Sequence, residues 1–175
     1  WTGATPMPDV IETTVYRLDE LSEAAKDNAR AWYREGGFDY DWYDAVYEDF
    51  RRIADILGIR IKSRTVRLMG GGVRQEPCIW FTGFWSQGDG AAFEGHYSYR
   101  KGTAAEIRAY APKDAELHRI ADALHQTVIE ALRELARWLY RQLEREYDYL
   151  TSDEAVGEAI VANEYSFTVD GKRFG

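Results

Sequence analysis

The sequence predicts an α+β fold: a mainly antiparallel sheet of about four to five strands with helices packed on it. Three observations carry that reading. Apolar residues repeat at helical spacing through Trp42, Val46, Phe50, Ile53 and Leu57, and then the period drops to two at Ile59 and Ile61. Two aromatic-rich strand-like runs flank the polar turn Ser86–Gly90. A long leucine-rich stripe, Leu117, Ile120, Leu124, Val128, Leu132, Leu135, Leu139 and Leu143, marks one long or broken helix in the C-terminal half. The chain has 175 residues, 45% of them hydrophobic, which suits a single α+β domain over 10–175. Residues 1–9 contain Pro6 and Pro8 with little periodicity and read as a flexible N-terminal arm.

The elements follow in order. Val10–Leu18 is rich in β-branched residues and predicts a first strand. Ser22 can cap a helix running to about Glu35, with Ala25, Ala29 and Trp32 on one face and Gly36-Gly37 as its stop. A second helix spans about Asp41 to Gly58, with Asp39 and Asp41 as candidate caps whose charge suits the dipole. Alternation at Ile59–Leu68, the triplet Gly70-Gly71-Gly72 and Val73 beyond it predict a turn between strands. Ile79–Phe84 reads as a buried strand, and Ala91–Tyr99 alternates Phe93, Gly95, Tyr97 and Tyr99 against Glu94, His96 and Ser98. Together they predict a hairpin. Thr103–Tyr110 is helical and stops ahead of Pro112, because the residue before proline avoids the helical region. Asp114 to about Tyr149 reads as one helix or as two joined near His125–Thr127. Thr151–Glu154 is a capping pattern opening a short helix to about Val161. Tyr165, Phe167 and Val169 predict the last strand.

The formal charge is −8, from 30 acidic and 22 basic residues. A net negative chain is repelled by nucleic-acid backbone, and the basic clusters Arg51-Arg52 and Lys172-Arg173 are short, so direct nucleic-acid binding is not expected. No apolar stretch approaches the ~20 residues that span a bilayer, so no membrane contact is expected. The lone Cys78 cannot form an internal disulfide and reads as a buried small hydrophobe, which suits a cytoplasmic setting.

The turn Ser86-Gln87-Gly88-Asp89-Gly90, with Trp85 before it, is the candidate binding site. Two glycines flank an acid, so the backbone can approach a ligand closely. Asp89 could hold a metal, act as a base or pair with a basic partner. The glycine spacing matches neither a phosphate loop nor a dinucleotide fingerprint. The acids from Asp39 to Asp49 lack the glycine and terminal glutamate of a calcium loop. His118, Asp122 and His125 can share a helix face, yet they lack further zinc ligands and read as solvated. No serine-nucleophile elbow is present. The sequence thus assigns no catalytic residue, no metal site and no cofactor.

Four stretches carry a resemblance: Tyr16–Ser22, Phe38–Trp42, Phe81–Ala91 and Tyr149–Ala155. Together the chain resembles a group of small acidic phage and prophage proteins, some described as the antitoxin of a toxin–antitoxin stability system. The resemblance covers most of 13–175 and brings no catalytic residues with it. Members of that group have strand-like residues between the helices around Ile120 and Leu135. Here the two run together, which implies a segment lacking near His125–Thr127. The resemblance implies a non-enzymatic phage or mobile-element protein that binds and modulates a host or phage protein, antitoxin-like or anti-defence. Trp85, Gln87 and Asp89 would then lie at the interface, since tryptophan dominates interface hot spots. Two alternatives stand beside it: a metal-dependent hydrolase or nuclease using Asp89 with Glu94 or other acids, and a structural virion component.

Overall fold

The computed structural model describes residues 10–36 and 41–175. The arm over 1–9 and the cap expected at Asp39 lie outside the described residues. The helices are α1 (Glu23–Gly36), α2 (Asp44–Leu57), α3 (Thr103–Tyr110), α4 (Ala115–Ala123), α5 (Val128–Leu150) and α6 (Asp153–Ala162). The strands are β1 (Ile59–Ile61), β2 (Ser63–Leu68), β3 (Gly72–Pro77), β4 (Ile79–Phe81), β5 (Ala91–Phe93), β6 (Gly95–Tyr97), β7 (Ser166–Phe167) and β8 (Arg173–Phe174). The fold is α+β, as the sequence predicts. Its contacts gather into two compact units, one of residues 41–149 and one of the residues before 41 together with 150–175.

The smaller unit packs α1 against α6 over Leu18, Leu21, Ala25, Ala29, Tyr33, Val156, Ile160 and Phe167. Ser22 Oγ accepts from the Ala25 N–H at 3.2 Å, which is the predicted cap of α1. Ser152 does the same for α6 through Ala155. Arg34 donates to the Thr151 carbonyl at 2.8 Å and to Asp153 at 2.6 Å, tying the two helices together. The first strand predicted over Val10–Leu18 is not formed. Only Tyr16 bridges Phe167, because β7 is two residues long and offers no longer partner.

The larger unit has a core of Phe50, Ile53, Leu57, Ile59, Ile107, Leu117, Ile120, Leu135, Leu139 and Leu143, each almost fully buried. The helical stripe therefore faces inward. It belongs to two helices and not one, for the chain turns at 124–127 between α4 and α5. Helix α2 begins at Asp44, later than expected, and stops where Gly58 takes the left-handed conformation.

The strands of this unit do not form one sheet of four or five. They pair two by two, β1 with β6, β2 with β3 and β4 with β5, all antiparallel. Three longer strands each bend once, at Lys62, Cys78 and Glu94, and change partner at the bend. The bends meet. The Lys62 N–H donates to the Glu94 carbonyl at 2.9 Å, Glu94 to Cys78 at 3.0 Å, and Cys78 to Lys62 at 2.7 Å. A closed cycle of three backbone hydrogen bonds thus joins three two-stranded ribbons. The run read as a continuous strand over Ala91–Tyr99 is split at Glu94 as a result, and the one read over Ile79–Phe84 stops at Phe81, where the turn begins.

Candidate functional site

The turn sits at the end of the β4–β5 ribbon, between Phe81 and Ala91, which are paired across the strands. Asp89 organises it. One carboxylate oxygen accepts the backbone N–H groups of Ser86 at 2.9 Å and Trp85 at 3.0 Å. The other accepts the Thr82 hydroxyl at 3.0 Å. Thr82 Oγ1 accepts in turn from the Gly90 N–H at 3.1 Å. The Ser86 N–H, then that of Trp85, holds the Asp89 carboxyl below the ordinary aspartate range. Both oxygens accept hydrogen bonds from within the turn, so the acid acts as a local anchor.

Gly83 fits closely beneath this anchor. A Cβ there would lie 3.2 Å from Asp89 Oδ2 and 3.5 Å from the Trp85 ring. The Gly83 carbonyl accepts the Tyr140 hydroxyl at 2.9 Å, which fixes the turn to α5. Burial, with Glu144 adding, raises the Tyr140 pKa and keeps this donor protonated.

Trp85 is 77% exposed. Its support comes from below. Phe84 lies 6.0 Å from the Trp85 ring and Tyr147 lies 5.7 Å from it, edge-on. Phe84 is packed in turn by Phe81, Trp42, Tyr140 and Tyr147. The exposed indole therefore crowns a bed of rings drawn from both ends of the unit. Ser86, Gln87 and Gly88 are exposed beside it, with Asp89 and Gly90 partly so.

Beside the base of the β2–β3 ribbon lies a cleft of about 500 Å³ that sequence reasoning missed. Tyr43, Tyr47 and Phe81 form its aromatic floor, with centroids 4.8 to 6.4 Å apart. Glu76 accepts from Arg64 across the ribbon and from Arg74 two residues along its own strand. The Arg74 hydrogen bond holds the Glu76 pKa below its usual range. Burial pushes Tyr47 well above the ordinary phenol value. Arg64 and Arg74 share Glu76 as their counter-charge, while Asp41 and Asp44 also line the cleft.

The other sequence candidates are dispersed into structural tasks. His118 Nε2 meets the Ala111 carbonyl at 2.7 Å, Asp122 holds Arg108 through both oxygens, and His125 packs on Tyr99. Asp41 accepts the Tyr43 hydroxyl at 3.2 Å. Cys78 is buried at the three-ribbon cycle. Among the described residues, no three of the His, Cys, Asp and Glu side chains are grouped to hold a metal ion. Nor is any helix among them long and apolar enough to cross a membrane.

The chain belongs to the family described as Domain of unknown function (DUF8835), which matches residues 42–127 and 122–153, more than half of its length. The two matched stretches overlap at 122–127, where α4 gives way to α5. No curated protein and no solved structure matches the chain.

Proposed function

We propose that this chain is a non-enzymatic protein-binding module of a phage or mobile element, and that it modulates a host or phage protein through the Trp85 turn. The observation that supports this reading is the pairing of an exposed indole with a carboxylate bonded within its own turn. A tryptophan held rigid before association loses little freedom on binding, which is the economy of a hot spot. Asp89 accepts three hydrogen bonds from within its own turn, which suits a structural anchor that holds the loop in shape. The antitoxin-like or anti-defence role follows from the sequence resemblance alone. The metal-dependent hydrolase reading would need further ligands beside Asp89, and among the described residues no three His, Cys, Asp and Glu side chains are grouped to hold a metal ion.

The test places a photo-crosslinking residue at position 86 in producing cells, with a second at exposed Val169 as a control. One discrete protein crosslinked from position 86 and not from 169, and lost on Trp85→Ala with the fold retained, is the expected result. Equal labelling from both positions, or labelling indifferent to Trp85→Ala, would sink the proposal. Co-purification with intact particles at fixed stoichiometry would replace it with the virion reading.

A further inference from the structure

The open end of the β1–β6 ribbon carries a second polar surface, unrelated to the Trp85 turn. Arg60 and His96 are direct cross-strand partners. Directly opposed residues project from the same face. Both are exposed, and both line a depression of about 530 Å³ with Ser98, Tyr99 and Arg100. A guanidinium and an imidazole are thus set side by side on one face of the ribbon. Among the described residues, Asp55 is the one acidic residue that lines this depression. Among the described residues, neither Arg60 nor His96 has a carboxylate within ion-pair distance.

The nearby end of α2 should work against an anion, because a helix C-terminus is electronegative. Arg100 offsets it by donating to the carbonyls of Ile56 at 2.6 Å and Asp55 at 3.4 Å. Its guanidinium also reaches Glu106 at 3.0 Å, so it serves as a fixture of the rim. Arg60, His96 and the Ser98 hydroxyl remain as donors facing open space. Tyr99 adds a flat ring, 64% exposed and braced edge-on by His125 at 5.5 Å.

We infer that this depression binds a phosphate-type oxyanion through Arg60, His96 and Ser98. A guanidinium is suited to such a group because its donors match two oxygens at once. The volume exceeds that of a bare anion and falls in the range of small-molecule sites. The oxyanion is therefore free phosphate or the phosphoryl group of a nucleotide, whose base would lie on Tyr99. Charge complementarity is the basis of the inference, for donors without a counter-charge are what an anionic ligand would complete.

The test is an amide-shift titration of the full chain in low-chloride buffer, with sulfate, inorganic phosphate and adenosine monophosphate as separate probes. Saturating shifts confined to Ile59–Ile61 and Gly95–Arg100 are expected. The double variant Arg60→Gln, His96→Asn should weaken binding at least tenfold, while Arg67→Gln on the exposed β2 strand should leave it unchanged. Both altered side chains are solvent-exposed, so the fold is retained and is checked in the same spectra. If the nucleotide binds tenfold more tightly than phosphate and Tyr99→Ala removes the difference, a nucleotide is the ligand. Equal affinities assign the site to the free oxyanion. Non-saturating shifts, shifts scattered over the chain, or a double variant that binds as the parent does would overturn the inference.

Discussion

Two glycine-rich loops close two ribbons of the larger unit, and they are built in opposite ways. The loop over 82–90 is fastened by one carboxylate to two backbone N–H groups and a hydroxyl, and by Tyr140 to a helix. The tip over 69–72 has no such fastening. Gly71 takes a φ of +79° with nothing within 4 Å of where its Cβ would be, and Met69 is fully exposed. One loop holds its shape through side chains and the other through backbone alone. Only the first holds a side chain by such fastenings, which is why the interface is proposed there.

The comparison can be broken at several points. The largest effect is expected from Phe84→Ala, which removes the ring beneath Trp85. It should cost about 2–3 kcal/mol in denaturant unfolding, below the full range for a buried aromatic because Phe84 is only partly buried. A loss under about 0.5 kcal/mol would mean that the aromatic bed does not support the turn. Gly83→Ala comes next, at about 1–2 kcal/mol, since the added methyl crowds the anchoring carboxylate. Gly71→Ala should cost about 1 kcal/mol through its positive φ alone, with no change in the spectrum of Trp85. Smallest globally is Asp89→Asn. Its signature is local, at least tenfold faster hydrogen exchange at the Trp85 and Ser86 amides with exchange at the 69–72 tip unaltered.

The same carboxylate sets a pH dependence. Its pKa is depressed in the folded chain, so the turn gains stability above the ordinary aspartate value and loses it only as pH falls through the lower, folded value. Protection of the Trp85 amide should therefore persist through the ordinary aspartate range and fail only at the lower, folded value. In Asp89→Asn that acid step should vanish. Persistence of the step in the variant would assign it to another group.

Much of the helical part was legible because caps and stripes are local signals. Ser22, Gly58 and the stop before Pro112 all act within a few residues of themselves. The break between α4 and α5 was one of two readings, since leucines continue through it in phase. The sheet was misread for a physical reason. Alternation reports which face a residue presents, and it carries no word about the partner strand. Bends at Lys62, Cys78 and Glu94 rest on backbone hydrogen bonds that any side chain permits. The Trp85 turn was visible as a string, but its bed was not. Trp42, Tyr140 and Tyr147 lie far from it in sequence. The basic pair was hidden likewise, with Arg60 and His96 in strands 36 positions apart and brought together only by register.

The cycle at Lys62, Cys78 and Glu94 has a consequence for how such a chain can change. Each ribbon is joined to the other two at its root. Residues can be inserted or removed beyond the root of one ribbon without shifting the pairing of the other two. The glycine tip closes one ribbon and touches nothing beyond it, so it can lengthen or shorten with the three peptide groups left as the fixed point.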